Sequence, residues 1–93
     1  MDLQQINYFL ALADAGSFST ASESLFISRQ GLSKTIARLE KELGVSLLQR
    51  SPSGVELTDP GRIFLRHARL VSREYADLLG ELSPYVDPSG KAE

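Results

Sequence analysis

The sequence predicts a mainly helical fold, with three short helices, a two-stranded hairpin and one long C-terminal helix. Two observations carry this prediction. Apolar residues recur every three or four positions through most of the chain, which is the spacing of a helix buried on one face. A Ser-Pro-Ser-Gly cluster at residues 51–54 interrupts that spacing between two short runs suited to strands. The 93 residues, 42% of them hydrophobic, suffice for one small domain.

The first helix is predicted over residues 3–15, and Gly16 is expected to end it in a left-handed conformation. Its apolar stripe is expected to contain Leu3, Ile6, Leu10 and Ala13, widened by Phe9. The second helix is expected to have about two turns. Thr20 begins a capping-box pattern that ends at Glu23, and Ser19 is a rival N-cap.

The third helix is predicted to follow a turn at residues 26–28, with Ser28 as N-cap, and to run to Leu43 before Gly44. Two helices joined by a turn of about three residues, the second one amphipathic, form a helix-turn-helix. The inward stripe of the third helix is Leu32, Ile36, Leu39 and Leu43. Its outer face is polar and basic near the N-terminus. This suits the major groove of DNA, but it is also typical of any solvated amphipathic helix.

The hairpin is predicted from an extended run at residues 45–50 and an alternating run at residues 55–58. The predicted fold is thus a winged helix-turn-helix, in which the hairpin is the wing. A wing beside a recognition helix can contact phosphate or the minor groove, and Arg50 and the hairpin tip are expected to be exposed for this. The alternative is a purely structural hairpin that connects the third and fourth helices.

The last helix is predicted over residues 59–83, with Thr58 as N-cap and a length of roughly 37 Å. So small a domain cannot cover a helix of this length, and a second copy of the chain is expected to pack on its apolar seam. The seam has heptad spacing and consists of Phe64, Ala68, Val71, Tyr75, Leu78 and Leu82. A row of arginines is nearly opposite the seam, and its first members can reach DNA phosphates. The row consists of Arg62, Arg66, Arg69 and Arg73.

The positive charge is concentrated in the middle of the chain, although the net charge is −2. Residues 29–73 carry nine Lys and Arg against four Asp and Glu. Residues 1–28 contain no Lys or Arg, and residues 74–93 contain one. Phosphate binding depends on such a local patch and not on the total charge. Because the patch begins at the predicted recognition helix, it favours DNA as a partner.

Several classes of function are disfavoured by what the sequence lacks. With no Cys and a single His, His67, neither a disulfide framework nor a metal site is expected. There is no phosphate-binding glycine motif and no arrangement typical of catalytic residues, so neither an enzyme nor a bound cofactor is expected. No apolar run approaches the ~20 residues of a membrane span, and no signal peptide is evident. A cytoplasmic protein is therefore expected.

Taken in order, these motifs resemble the N-terminal DNA-binding domain of LysR-type transcriptional regulators. Residues 3–18, L-x-x-I-x-Y-F-L-A-L-A-D-A-G-S-F, resemble the opening helix of that family. Residues 21–47, which contain L-x-x-S-x-x-x-L-S-x-x-I-x-x-L-E-x-x-L-G-V-x-L, resemble its helix-turn-helix. Residues 48–50 and residues 57–61 (L-T-D-P-G) resemble its wing and the start of its linker helix. The resemblance covers about residues 1–82.

The resemblance implies homodimers joined through the linker helix, often paired into tetramers by a C-terminal effector domain that binds a small co-inducer. That effector domain is expected to be absent from this chain. The expected organisation is a DNA-binding domain at residues 1–58, a dimerisation helix at residues 59–83 and a flexible tail at residues 84–93. The resemblance and the predicted outer face together give the residues expected to contact double-stranded DNA: Ser28, Arg29, Gln30, Ser33, Lys34, Arg38, Arg50 and Ser53.

The departures from the family pattern fall within this same set. Arg29 and Gln30 stand where relatives commonly have Gln and Pro, and Ser53 is often basic in relatives. By their bidentate geometry Arg29 can read guanine and Gln30 adenine, or either can hold phosphate, which leaves the operator sequence open. Two alternatives remain: a helical protein-interaction or coiled-coil module without DNA function, and the N-terminal domain of a molybdate-responsive regulator.

Overall fold

The computed structural model describes residues 1–88 and confirms the mainly helical fold with a two-stranded wing. The elements in chain order are α1 Leu3–Ala15, α2 Phe18–Leu25, α3 Arg29–Leu43, β1 Leu48–Ser51, β2 Gly54–Leu57 and α4 Asp59–Leu82, followed by a short 3-10 turn at Ser83–Tyr85. Of the predicted tail, residues 89–93 lie outside the described residues. Within residues 1–88, no helix has both the length and the apolar character needed to cross a membrane.

The predicted caps of α3 and α4 are confirmed. Ser28 Oγ accepts a hydrogen bond from the Gly31 amide at 2.9 Å, and Thr58 Oγ1 accepts one from the Gly61 amide at 3.0 Å. Gly44 ends α3 with a φ of 75°, in the left-handed region that glycine adopts without steric cost. These interactions span only a few residues, so local sequence is enough to predict them.

The predicted N-cap of α2 is wrong. Ser17 is the N-cap, with an extended backbone (φ −153°, ψ 151°), and its Oγ accepts a hydrogen bond from the Thr20 amide at 3.2 Å. Gly16 ends α1 in the left-handed conformation, and only Ser17 separates it from the first residue of α2. Ser19 and Thr20 are therefore already helical and cannot act as caps.

The buried face of α1 also differs from the predicted stripe. Ile6, Phe9 and Leu12 are buried, whereas Leu3, Leu10 and Ala13 are only partly so. Helices α2, α3 and α4 all pack on α1, so its buried face is set by three neighbours and not by a single stripe. Phe9 lies at the centre and meets Phe64 of α4 edge to face, with ring centroids 4.9 Å apart.

The inward stripe of α3 is confirmed except at its end. Leu32, Ile36 and Leu39 are buried, but Leu43 is 36% exposed because the last turn of α3 extends beyond the core. The three buried leucine and isoleucine side chains fix which face of α3 is turned outward.

The wing is shorter than predicted because a carboxylate binds the segment before it. Strands β1 and β2 pair antiparallel from Leu48↔Leu57 to Ser51↔Gly54, so residues 45–47 are not strand. Instead, Glu40 Oε2 accepts hydrogen bonds from the amides of Leu47 at 2.6 Å and Leu48 at 3.2 Å. Charge-assisted bonds of this kind are strong, so Glu40 fastens the base of the wing to α3.

The start of α4 is fastened to the same segment. Thr58 Oγ1 donates a hydrogen bond to the Ser46 carbonyl at 2.6 Å, and the Thr58 amide donates to the Leu47 carbonyl at 3.1 Å. Gly61 then passes so close to Leu47 that a Cβ atom at residue 61 would lie 2.0 Å from the Leu47 carbonyl oxygen. The chain before the wing and the helix after it thus form one tightly packed junction.

Candidate nucleic-acid interface

The N-cap and the first ten residues of α3 present six of the predicted DNA-contacting residues. Ser28, Arg29, Gln30, Lys34 and Arg38 are exposed, and Ser33 is partly exposed. The Ser28 hydroxyl already accepts the hydrogen bond that caps α3, so it has less hydrogen-bonding capacity left for DNA than its neighbours have.

The wing brings two more predicted residues to the same side of the chain. Arg50 in β1 and Ser53 at the hairpin tip are both exposed, and Ser53 Oγ lies 3.3 Å from Ser51 Oγ. Arg50 joins α3 in lining one concave surface, which we call the reading groove. The reading groove is lined by Phe18, Arg29, Gln30, Ser33 and Arg50.

The other predicted residues lie outside the reading groove. Lys34 and Arg38 are exposed further along α3, and Ser53 is at the tip of the wing. The predicted set therefore divides into a concave part that can meet base edges and a surrounding basic part that can meet phosphates.

The basic side chains of α3 and the wing have no acidic partners among the residues that the structure describes. Within residues 1–88 the ion pairs join the N-terminus to Glu42, Arg62 to Asp59, and Arg69 to Asp14. Four cations of the candidate interface lack such a pair with any residue of this range: Arg29, Lys34, Arg38 and Arg50. Their charge is uncompensated and can attract phosphate. In the arginine row of α4, Arg62 and Arg69 are partly neutralised by these pairs.

A contact between the wing and the α1–α2 junction orients the hairpin. The Val55 amide donates a hydrogen bond to the Gly16 carbonyl at 3.0 Å. Gly54 has a φ of 139°, and a Cβ atom there would lie 2.2 Å from the same carbonyl oxygen. Gly54 is predictable from the sequence as a turn residue, but no sequence pattern indicates its approach to Gly16. With the Glu40 hydrogen bonds, this contact fixes the wing relative to α3.

The predicted dimerisation seam divides into two parts. Phe64 and Ala68 pack within the chain, with Ala68 buried and Phe64 against Phe9. The remaining four members are roughly half-exposed: Val71 at 44%, Tyr75 at 44%, Leu78 at 52% and Leu82 at 50%. The distal half of α4 therefore carries an apolar face that residues 1–88 do not cover.

An apolar groove continues from the exposed half of the seam towards the end of α3. Its walls include Met1, Leu43, Val45, Ile63, His67 and Val71. This groove and the exposed half of the seam share Val71.

The chain matches known proteins over most of its length. A sequence model described as bacterial regulatory helix-turn-helix protein, lysR family, matches residues 3–62. The chain is 44% identical over 69 residues to the HTH-type transcriptional regulator TfdT of Cupriavidus pinatubonensis, covering 74% of this chain and 30% of TfdT. It is 47% identical over 68 residues to the SDS degradation transcriptional activation protein of a Pseudomonas species, covering 73% of this chain and 22% of that protein. The chain thus spans less than a third of these curated relatives.

Solved structures of DNA complexes have the same fold. The CbnR_DBD–DNA complex has 39% identity and a TM-score of 0.81, covering 91% of this chain and 97% of that one. The BenM_DBD/catB site 1 DNA complex has 30% identity and a TM-score of 0.88, covering 91% of this chain and 96% of that one. The wing and the long last helix of this chain therefore occur together in domains whose crystal structures were determined in complex with DNA.

Proposed function

Because the chain belongs to the LysR family of bacterial helix-turn-helix regulatory proteins, we propose that it binds double-stranded DNA as a homodimer and regulates transcription. The observation that carries the proposal is the reading groove, where Arg29 and Gln30 of α3 meet Arg50 of the wing without an acidic partner among the described residues. A fixed, concave and positively charged surface of this kind complements the backbone and base edges of duplex DNA.

In the proposed complex α3 enters the major groove with its N-terminus leading. Gln30 and Ser33 read base edges, and Arg29 either reads guanine or holds phosphate. Lys34, Arg38 and Ser53, which lie around the reading groove, contact the backbone, and Arg50 contacts it from the wing side of the groove. Ser28 contributes by keeping the first turn of α3 in place through its hydrogen bond to Gly31.

We propose that the exposed part of the seam forms the homodimer. The half-exposed side chains from Val71 to Leu82 lie on one face of a 24-residue helix, and a second copy would bury them. Two copies related by a twofold axis would place two α3 helices in successive major grooves of a partly palindromic site. In this arrangement residues 1–58 bind DNA, residues 59–83 join the dimer and residues 84–93 form a tail.

The finer features that the family resemblance implies belong to a longer protein. The curated relatives are more than three times as long as the segment that this chain matches. A co-inducer domain and the contacts that form a tetramer would lie in the part of such a protein outside that segment. DNA binding at the reading groove needs neither. The proposed role places the protein in the cytoplasm, where bacterial DNA is found.

Lys34→Ala and Gln30→Ala are expected to impair DNA binding in different ways. Loss of the Lys34 charge should weaken binding to every duplex by about five- to tenfold and lower the salt slope by about one. Gln30→Ala should mainly reduce the difference in affinity between sites that have the preferred base and sites that have another base. A bidentate contact to one base contributes ~1–3 kcal/mol to that difference. The measurement is selection of bound sites from random DNA, followed by fluorescence anisotropy on the selected site and on a scrambled duplex.

Lys41→Ala is the matched control for Lys34→Ala. Lys41 is exposed on α3 but lies in its last turn, away from the reading groove. We expect less than a twofold change in affinity, because salt screens charges beyond ~8–10 Å. Equal losses for Lys34→Ala and Lys41→Ala would contradict the proposed docking, and no binding to any duplex would favour a protein-interaction module instead.

A further inference from the structure

We propose that Phe18 is a positioning residue that holds the Arg50 guanidinium ready for DNA and so ties the wing to the helix-turn-helix. The inference rests on the proposed function, since it assigns a role to Phe18 within that DNA-binding surface. Nothing in the sequence pairs these residues, because they belong to separate elements, α2 and β1.

The first observation is the contact itself. The Arg50 Cζ atom lies over the Phe18 ring, 4.7 Å from the ring centroid. This is within the ~6 Å range in which a guanidinium is attracted by the negative face of an aromatic ring. Among the described residues the guanidinium has no carboxylate partner and no hydrogen bond. Within this range the Phe18 ring is the one partner of the guanidinium.

The chemistry of this partner suits a residue that must still bind DNA. An aromatic ring attracts the cation through its π face and takes no lone-pair hydrogen bond from it, so the five N–H donors of the guanidinium stay available. A carboxylate would use those donors and cancel the charge. The contact therefore limits the rotamers of Arg50 before DNA arrives without reducing what the side chain can offer to a phosphate or a base.

The second observation is that the ring is itself fixed. Phe18 is the first residue of α2, directly after the N-cap Ser17, and it is partly buried against the hydrophobic core. Phe18 lines the reading groove together with Arg29, Gln30 and Arg50. It also lines a second cleft between α3 and the wing, together with Ser33, Ala37 and Val55 among others. Phe18 thus fills the corner where the recognition helix meets the wing.

A double-mutant cycle tests the coupling. The full 93-residue chain is compared as wild type, Phe18→Leu, Arg50→Ala and the double variant. The readout is anisotropy with a labelled 40-base-pair random-sequence duplex pool at 50 mM salt. Arg50→Ala should weaken binding by about tenfold. Phe18→Leu should weaken it by about two- to fivefold, the size of an exposed cation–π contact. The double variant should be no weaker than Arg50→Ala, and Phe18→Tyr should behave as wild type.

Additive losses in the cycle, or a loss in Phe18→Tyr equal to that in Phe18→Leu, would overturn the inference and leave the proposed function intact. Failure of the wild-type chain to bind the pool would overturn both. A second measurement does not depend on how Phe18→Leu folds. In the wild-type chain the Arg50 δ-proton resonances should be shifted upfield by the ring current of Phe18, and random-coil positions would overturn the inference.

Discussion

Gly61→Ala is expected to destabilise the chain by about 3 kcal/mol or more, because overpacking against rigid backbone cannot be relieved by rotating a side chain. The added Cβ would lie 2.0 Å from the Leu47 carbonyl oxygen and 3.0 Å from its carbonyl carbon. Either α4 moves away from the segment before the wing, or the hydrogen bonds of Thr58 to Ser46 and Leu47 break. Thermal unfolding should show a Tm lower by roughly 12–24 °C for a chain of this size.

Gly80→Ala is the matched control in the same helix. No atom lies within 4 Å of a Cβ atom built at Gly80. Alanine is a better helix former than glycine by up to ~1 kcal/mol, so this variant should be as stable as the wild type or slightly more stable. Equal Tm values for Gly61→Ala and the wild type would show that the α4–wing junction is not closely packed.

The double variant Leu78→Gln and Leu82→Gln is expected to dissociate the dimer. Each side chain is about half-exposed in the single chain, at 52% and 50%, and would be buried by a second copy. Each leucine loses ~1 kcal/mol of apolar burial, and the dimer contains two such leucines on each of its two subunits. The total raises the dimer dissociation constant on the order of 100- to 1000-fold. Sedimentation velocity over a concentration series measures this shift, and glutamine leaves the net charge unchanged.

Leu70→Gln provides the control for the seam. Leu70 is 57% exposed on α4, but it lies beside Arg66 and Arg69 of the arginine row and not on the seam. We expect the monomer–dimer distribution of the Leu70→Gln variant to match that of the wild type. If all the variants and the wild type sediment as monomers at high micromolar concentration, the proposed dimer through α4 is wrong for this chain.

The elements that could be predicted from sequence are those whose cause lies within a few residues. Ser28, Gly44 and Thr58 mark helix ends because an N-cap or a left-handed residue acts on the adjacent turn. Leu32, Ile36 and Leu39 could be assigned to the core for a similar reason, since helical spacing alone places them on one face.

Other features depend on contacts between residues far apart in the chain. Glu40 has the spacing of an ordinary exposed residue, and only the fold brings its carboxylate to the Leu47 and Leu48 amides. Ser17 was missed as a cap because the sequence does not show how tightly α1 and α2 are joined at Gly16. Leu12 was missed as a core residue because several elements cover α1.

The set of residues proposed to contact DNA shows both situations. The outward position of Arg29, Gln30 and Lys34 follows from the helical period, so their exposure could be predicted. Convergence of Arg50 on the same concave surface could not, because it depends on how the hairpin is oriented. That orientation is fixed by the hydrogen bond from Val55 to Gly16 and by those that Glu40 accepts from Leu47 and Leu48.

Binding of the wild-type chain to duplex DNA as a function of salt tests the central proposal most directly. Anisotropy titrations of the 93-residue chain with the random-sequence duplex pool would be made at several salt concentrations between 50 and 200 mM. If uncompensated cations around the reading groove displace counterions from phosphates, affinity should fall by about 100-fold or more across this range, linearly in logarithmic coordinates. An affinity that stays constant over the range, or no binding at 50 mM, would contradict a DNA-binding role for this surface.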